Sequence, residues 1–340
     1  MIAIARDLGI DLGTANLVIF QKGRGIVVRE PSFVALVKAT GQPKAFGQQA
    51  QNMVGRAPAA IEIVQPIRDG AIANYTATEA MLRHYLNKLH GRAAFTRPRV
   101  VVSVPCDVTS VERQALLDAC RAAGAKDAFP MEEPLAAALG LGLGVGDPSG
   151  NITVDIGAGT TDIAVISLGG SVVSATVRVG GDAVDEAVHR HVKRRHNVLL
   201  GDRSAEELKF AIGSAWKLEK ELEAEVSGRD MGDGMPKTVM VSSAELRADL
   251  AEPLGQIVNR VKSVLEQTPP ELANDIAQNG LWLSGGGALL RGMNALLSHE
   301  TGLEVHVSED PLSCVANGAG RALEQIEALT ETHFTFVGEK

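Results

Sequence analysis

Two short segments of the chain each place an aspartate directly before a glycine turn. The first is Ile10-Asp11-Leu12-Gly13, and Val154-Asp155-Ile156-Gly157 repeats it in residue type at every position. A phosphate chain needs backbone N–H donors, and glycine-rich turns let the backbone approach closely enough to supply them. The pair therefore predicts a phosphate-binding cleft. The expected contacts are Gly13, Thr14, Ala15 and Asn16 in the first turn, and Gly157, Ala158, Gly159, Thr160 and Thr161 in the second.

The aspartate before each turn cannot donate a hydrogen bond to a phosphate. Its natural partner is hydrated Mg²⁺, which keeps most of its waters and takes few carboxylates. We therefore expect Asp11 and Asp155 to face one Mg²⁺ ion through water. A single Asp-x-Gly turn would more simply be a plain hairpin, and only the matched pair favours phosphate binding. The chain contains no GKS or GKT, so a P-loop enzyme is not expected.

A third glycine turn lies between an apolar run at residues 281–283 and a helical pattern at about 289–298. Its residues are Ser284, Gly285, Gly286, Gly287 and Ala288. At the start of a helix the backbone amides are free and the dipole is positive. The glycines favour contact with the ribose or purine of a nucleotide. A tight strand-to-helix turn is the alternative, because glycine permits that as well.

Acidic residues precede two of the predicted helices. Glu132 and Glu133 come just before a helix that begins at Pro134. They could complement the helix dipole, or one could orient the water that attacks a γ-phosphate, and the residues alone leave both open.

A second acidic group lies at the start of a later predicted helix. The spacing of Ser204 and Glu207 predicts a capping box, with a helix running to about Val226. Beside them, Glu206 and Lys209 fit a solvated helix face as simply as a binding site.

The wider pattern indicates an α/β protein with two lobes. The chain has 340 residues, which suits two domains, and each Asp-led turn begins one half of it. Residues 100–104 resemble a buried parallel strand, and Thr109 with Glu112 predicts a capping box for the helix that follows. Residues 246–268 are helical in pattern, and Pro253 predicts a kink or a break. A net charge of −8 argues against nucleic-acid binding.

Several runs of this sequence resemble the MreB family of bacterial actin-like proteins, within the actin, Hsp70 and sugar-kinase superfamily. The likeness extends from about Asp7 to Leu323. The runs are IDLGTANLVIF, KGRGIVVREPS, PSGNITVDIGAGTTDIAVISLGG, TPPELANDIAQNG and LSGGGALLRGMNALL.

The resemblance implies an actin-like two-lobed fold, with ribonuclease-H-like duplicated domains and four subdomains around a central nucleotide cleft. Residues 1–140 would form lobe I, with a small insert at about 31–66. Residues 141–315 would form lobe II, with an insert at about 181–243. Residues 316–340 would return to lobe I.

The resemblance also implies ATP and Mg²⁺ as ligands and assigns roles by motif. Glu133 would be the glutamate that orients the attacking water. The turn Gly180-Gly181-Asp182 would close the cleft. Around the adenosine the resemblance places Glu206, Glu207, Lys209, Gly285, Gly286, Gly287 and Ala288. Two positions depart from the common pattern of the family: Ala158 replaces a glycine, and Asp162 replaces a glutamate.

Members of this family assemble into paired protofilaments under the cytoplasmic membrane. The resemblance implies a homopolymer in the cytoplasm, at the inner face of the membrane. It would organise lateral cell-wall synthesis with membrane proteins of the elongation machinery and maintain rod shape. Slow ATP hydrolysis would time filament turnover. The alternatives are a filament for plasmid partition or organelle alignment, a sugar-kinase-type phosphotransferase, and an Hsp70-type chaperone.

The membrane contact of such a filament is expected in the loop at residues 90–97. Phe95 among arginines, including Arg97, would insert into an anionic bilayer. An ordinary loop with one tucked phenylalanine is the alternative. The N-terminus lacks a long apolar run and predicts neither a signal peptide nor a membrane span.

Overall fold

The computed structural model of the protein describes residues 6–90 and 96–331, with side chains up to Glu324. Its first large sheet starts with an antiparallel meander and continues with two parallel strands. The meander is β1 (Leu8–Leu12), β2 (Asn16–Gln21) and β3 (Gly25–Pro31). The strands β9 (Arg99–Val104) and β10 (Asp127–Glu132) lie parallel beyond β1, in the order β10-β9-β1-β2-β3. The apolar side chains of β9 are fully buried, as its β-branched sequence predicts for a parallel strand.

The second large sheet has the same connectivity. Its meander is β11 (Asn151–Ile156), β12 (Thr161–Ser167) and β13 (Gly170–Val177). The parallel strands β17 (Leu281–Ser284) and β18 (Val305–Val307) lie beyond β11, in the order β13-β12-β11-β17-β18. The duplication inferred from the two Asp-led turns is therefore a duplication of whole sheets.

Two smaller sheets branch from the large ones. The first is formed by β4 (Val34–Val37), β5 (Pro43–Phe46) and β6 (Ile61–Val64), with the short helix α1 (Gly47–Gln51). A separate hairpin follows, of β7 (Ile67–Arg68) and β8 (Ala71–Ile72). The second small sheet is formed by β14 (Val198–Leu199), β15 (Glu223–Asp230) and β16 (Pro236–Ser242), with helix α6 (Asp202–Ile212).

The remaining helices are α2 (Tyr75–His90), α3 (Ser110–Ala123), α4 (Glu133–Leu141), α5 (Gly181–His196), α7 (Ser243–Gln267), α8 (Pro270–Asn279), α9 (Met293–Thr301) and α10 (Cys314–Glu331). Short 3₁₀ turns occupy Gly286–Leu289 and Pro311–Ser313. The predicted capping box of α3 is confirmed, since Thr109 and Glu112 exchange both hydrogen bonds. The helix expected to start at about residue 289 starts at Met293, after the 3₁₀ turn.

Two helix predictions are wrong. No capping box forms at Ser204, because α6 starts after Gly201 and ends at Ile212. Residues 223–230 are a strand instead, since their apolar and charged side chains alternate with a period of two. At Pro253 the helix does not break, which leaves the kink as the remaining prediction. Helix α7 runs through this position, with Pro253 in its buried face.

The last helix returns the chain to the first sheet. Helix α10 packs against α4, β1 and β9. A Cβ placed on Gly318 of α10 would lie 1.7 Å from the carbonyl oxygen of Ala136. A Cβ on Gly140 of α4 would lie 2.0 Å from the carbonyl oxygen of Cys314. Reciprocal glycines therefore set the separation of these two helices.

Replacement of Gly318 by alanine tests this packing. Gly318→Ala is expected to lower the free energy of unfolding by roughly 1–3 kcal/mol, because the added methyl meets rigid backbone. Gly255→Ala in α7 is the matched control, since nothing lies within 4 Å of its Cβ. There alanine should stabilise the helix by up to about 1 kcal/mol. Urea unfolding measures both, and equal effects of the two variants would refute the close approach.

Candidate functional site

The two Asp-led turns close equivalent hairpins, β1–β2 and β11–β12. In the first, the Gly13 amide donates to the carbonyl of Asn16 at 3.0 Å. In the second, the Gly157 amide donates to the carbonyl of Thr160 at 2.9 Å. Ser32, the residue after β3, supports the first turn, because its hydroxyl donates to the carbonyl of Gly13 at 2.7 Å. Its amide donates to the carbonyl of Ala15 at 2.8 Å. The backbone of each turn is thus held in place.

The two turns meet across the cleft between the large sheets. A Cβ on Gly159 would lie 2.8 Å from the hydroxyl oxygen of Thr14. Only glycine permits this approach. Thr14 and Thr160 are buried at the contact. The Thr161 hydroxyl instead donates to the carbonyl of Val179 at 2.7 Å, so it supports the strand and is not turned to the cleft. Asn16, the remaining side chain of the first turn, is exposed.

Each aspartate accepts a hydrogen bond from a serine on the neighbouring parallel strand. Ser103 of β9 donates to Asp11 at 3.2 Å, and Ser284 of β17 donates to Asp155 at 2.6 Å. Ser284 was predicted as part of an adenosine turn, and its side chain instead supports Asp155. Ser103 was missed by the sequence analysis. The signal for it was the single hydroxyl in the apolar run of residues 100–104.

Loss of hydration raises the pKa of both aspartates, to about 6 for Asp11 and about 7 for Asp155. Asp162, directly opposite Asp155 on β12, is fully buried, and its pKa is raised to about 6 for the same reason. One oxygen of Asp162 accepts from the Thr176 hydroxyl at 2.6 Å and from the Cys106 amide at 2.9 Å. Its other oxygen has no hydrogen-bond partner among the described residues.

Glu133 joins this group from the first residue of α4. Loss of hydration, followed by the charges of Asp162, Asp11 and Asp155, raises its pKa well above the ordinary value. The neighbouring Glu132 has a different partner, since it accepts a hydrogen bond from Ser171 of β13 at 2.6 Å. The structure therefore separates two glutamates that the sequence left equivalent.

The charges of these carboxyl groups raise the pKa of Glu133 and of Asp155, so the groups lie near one another, and their repulsion favours a divalent cation beside them. Hard oxygen donors of this kind suit Mg²⁺. Asp11 and Asp155 are the residues that would hold it. It would supply positive charge beside phosphate.

The turn Gly180-Gly181-Asp182 fixes the start of α5 against the second Asp-led turn. The Gly181 amide donates to the carbonyl of Gly157 at 3.0 Å, and the Asp182 amide donates to that of Ala158 at 2.9 Å. A Cβ on Gly180 would lie 2.5 Å from both carbonyl oxygens. The start of helix α5 is therefore hydrogen-bonded directly to the second Asp-led turn.

Lys209 and Glu206 of α6 lie beside the start of α5. The Lys209 ammonium donates to Asp185 at 2.8 Å and to the carbonyl of Gly181 at 3.4 Å. Burial raises the pKa of Asp182 and Asp185, and the charge of Glu206 raises both further. These polar groups can reach a ligand that lies on the second turn.

The third glycine turn is shaped largely by packing. A Cβ on Gly285, whose φ is +77°, would lie 2.3 Å from the carbonyl oxygen of Ile156. A Cβ on Gly287 would lie 2.2 Å from the Ile156 side chain. Both glycines therefore satisfy the strand-to-helix turn that was the alternative. Gly286 is exposed, and a Cβ on it would meet only the Leu312 side chain, at 3.4 Å, whereas Ala288 is buried.

The β7–β8 hairpin adds a site residue that the sequence analysis missed. Asp69 and Gly70 both have positive φ, at 50° and 74°, as a two-residue type I′ turn requires. A Cβ on Gly159 would lie 3.0 Å from the Asp69 backbone, and one on Gly70 would lie 3.2 Å from Thr160. The hairpin tip thus reaches from the first half of the chain to the second Asp-led turn.

Three predicted residues lie apart from this group or outside the description. Glu207 is exposed and pairs with Arg203 at 2.8 Å, which fits a solvated helix face. Arg97 is exposed. Phe95 lies outside the described residues.

The two large sheets have the same connectivity. Their first hairpins face each other, with the carboxyl groups between them. This arrangement defines the two-lobed actin-like class of proteins. The solved structure of MreB5 of Spiroplasma citri bound to ADP superposes with a TM-score of 0.91 at 35% identity, covering 96% of this chain and 99% of that one. The MamK double helical filament, at 23% identity and a TM-score of 0.80, shares the fold. The predicted fold class is therefore confirmed.

The sequence matches the family described as MreB/Mbl protein over residues 5–331. It is 48% identical to the cell shape-determining protein MreB of Escherichia coli K12, over 95% of this chain and 94% of that protein. It is 45% identical to the cell shape-determining protein Mbl of Bacillus subtilis 168, over 96% and 98%. The chain belongs to the MreB/Mbl family of actin-like cell-shape proteins.

Replacement of Asp155 tests the cost of the carboxyl cluster. A raised pKa in the folded chain favours the protonated form, so the ligand-free protein loses stability as pH rises from 3.8 to about 7. Asp155→Asn should therefore raise the free energy of unfolding at pH 8 by on the order of 3 kcal/mol, with no gain below pH 4. Urea unfolding without ligand measures this.

The control for Asp155→Asn is Asp118→Asn, on the exposed surface of α3. Its effect should stay within about 0.5 kcal/mol at both pH values. A destabilised Asp155→Asn variant at pH 8 would contradict the assignment of Asp155 as a strained, function-bearing carboxylate.

Proposed function

We propose that this protein binds Mg-ATP between its two Asp-led turns and assembles in that state into filaments that determine cell shape. The observation that carries the proposal is the meeting of Thr14 with Gly159 over Asp11 and Asp155. A ligand bound there contacts both halves of the chain, so its phosphates can control the relative orientation of the two lobes. The S. citri relative, solved with ADP and with AMPPNP, supports a nucleotide as this ligand.

The roles proposed for the turns follow from their donors. The amides and hydroxyls of residues 13–16 and 157–160 would hold the phosphates, and Asp11 and Asp155 the hydrated Mg²⁺. Gly180 to Asp182 would close the cleft from α5. Lys209 and Glu206 would face the nucleoside together with residues 284–288. Glu207 has the weakest support, since Arg203 holds it at the surface.

Glu133 is proposed to orient the attacking water. In the ligand-free chain burial and the neighbouring carboxylates raise its pKa, which favours the protonated carboxyl group. Positive charge in the cluster lowers the pKa of Glu133, because opposite charge favours the ionised form. Its carboxylate can then accept a hydrogen bond from water. Hydrolysis of ATP therefore depends on a cation bound beside Glu133 in the cleft.

The polymer is proposed to consist of paired protofilaments of this chain at the inner face of the cytoplasmic membrane. It would act with membrane proteins of the cell-wall elongation machinery, and slow hydrolysis would time its turnover. The identity to cell shape-determining relatives supports this role. Substitution of this chain for the resident relative in a rod-shaped bacterium tests the role. Rods support it, and spherical cells contradict it.

Glu133→Gln tests the catalytic assignment. Phosphate release in the presence of Mg-ATP should fall about 10²-fold or more, as is typical for loss of a positioned base. The affinity for a fluorescent ATP analogue should change little, and filaments should sediment for longer after ATP is exhausted. Glu132→Gln is the matched neighbour, because Ser171 holds Glu132 away from the cluster. Equal phosphate release by Glu133→Gln and the wild type would rule out the role.

The membrane contact is proposed to lie in the loop at residues 90–97. Among the described residues no helix is long and apolar enough to cross a bilayer. One aromatic side chain binds weakly, so a filament must multiply the contact along its length.

The double variant Phe95→Ala, Arg97→Glu tests this loop. It should lower co-pelleting of filaments with anionic vesicles at least tenfold, because it removes both the apolar and the cationic contact. Vesicles of purely zwitterionic lipid provide the baseline, and sedimentation without lipid checks that filaments still form. Wild-type pelleting of the double variant would place the anchor elsewhere.

A further inference from the structure

A second group of convergent polar side chains lies at the far end of α5 from the Asp-led turn. It consists of His191 and His196 of α5 and Glu245 of α7. One potential ligand atom from each lies within 4.8 Å of the others. The side chain of His191 is 1% exposed, and those of His196 and Glu245 are 20% and 33% exposed. The group is therefore enclosed on the side of His191 and open to water on the other.

Two imidazole nitrogens in this group have no partner. The Nε2 atoms of His191 and His196 are both buried without a hydrogen bond among the described residues. The Nδ1 of His191 lies 2.5 Å from a carboxylate oxygen of Asp249, so Nδ1 carries a proton. The Nε2 of the same ring faces Oε2 of Glu245 at 3.9 Å, beyond hydrogen-bond distance. A positive ion between these two atoms would satisfy both of them.

We propose that His191, His196 and Glu245 bind one divalent transition-metal ion of the Zn²⁺ type. Two imidazoles and one carboxylate form a ligand set that zinc uses with water in the fourth position. Imidazole nitrogen selects against Mg²⁺ and Ca²⁺, which take oxygen ligands. Zinc–ligand distances of about 2.0–2.2 Å put tetrahedral ligand atoms about 3.4 Å apart. Oε2 of Glu245 lies 3.9 Å from Nε2 of His191, and Oε1 lies 3.7 Å from Nε2 of His196. The three ligand atoms lie within 4.8 Å of one another, so a contraction of about 1 Å brings them around one ion.

The side chains around this group hold two of its ligands in place. Asp249 orients His191 through Nδ1, as a carboxylate commonly does for a metal-bound histidine. The Ser242 amide donates to Oε1 of Glu245 at 2.7 Å in the capping box of α7, which leaves Oε2 free of hydrogen bonds within the cap. Two cations beside the group are themselves paired, since Arg194 binds Asp249 and Lys237 binds Asp230.

The position of the group suggests what the ion does. His196 is the last residue of α5, just before β14, and Glu245 follows the end of β16 by three residues. The ion would join the two points at which the chain enters and leaves the small sheet of residues 198–242. Closing such a long loop restricts the unfolded chain and fixes the base of this sheet on the second lobe.

Zinc titration of the metal-stripped, nucleotide-free full-length protein tests the proposal. Competition with a chromogenic chelator should show one Zn²⁺ per chain, and the ion should raise the Tm. Glu245→Gln keeps a capping residue but loses the carboxylate, and His196→Ala removes one nitrogen at the exposed edge. Each should weaken binding at least tenfold and abolish the Tm shift. The visible spectrum of bound Co²⁺ should be lost in both.

Two controls separate this group from other sites. His189→Ala, on the same helix but paired with Asp202, should bind zinc as the wild type does. Asp155→Asn should also bind normally, which excludes the carboxyl cluster of the nucleotide cleft. Unchanged affinity in both Glu245→Gln and His196→Ala would overturn the proposal. A wild type that binds no zinc would overturn it as well.

Discussion

The confinement of several carboxyl groups to one cleft is the constraint on which the rest of the structure depends. Asp11, Asp155, Asp162 and Glu133 arrive from four different elements, and each loses hydration there. Like charges at close range are unfavourable without a cation. The two large sheets and the serines beside the aspartates hold the groups in place in spite of that repulsion. The folded protein retains this unfavourable repulsion in the absence of a ligand. We infer that the repulsion is retained because a bound ligand relieves it.

The sequence predicted those parts of the site that a short run of consecutive residues specifies. An aspartate, a glycine turn and two apolar strands form one continuous pattern, so both hairpins could be found and matched. Ser103 and Asp69 belong to the same site but reach it through sheet pairing and a hairpin tip, which no local pattern specifies. The lone hydroxyl in the run at residues 100–104 was the one available signal. Long-range pairing, rather than residue chemistry, limited the prediction.

The wrong helix at residues 213–226 has a different cause. The capping box predicted at Ser204 and Glu207 implied a helix to about Val226, although Leu222, Ala224 and Val226 alternate with glutamates. That period of two places the apolar side chains on one face of β15. The third glycine turn shows the converse ambiguity. Gly285 and Gly287 are required by contact with Ile156, so glycine content alone could not separate a binding loop from a packed turn.

The contact between α10 and the first sheet also governs the order in which the protein can be completed during translation. Strand β1 emerges from the ribosome early, yet the helix that covers it follows about 300 residues later. A Cβ on Gly9 would lie 2.5 Å from the amide nitrogen of Gly320, so the backbones of β1 and α10 pack directly against each other. A loosely packed segment could not replace α10 in this contact. The nascent first lobe therefore presents apolar surface throughout synthesis of the second lobe. During that interval the apolar surface is open to contacts with other chains.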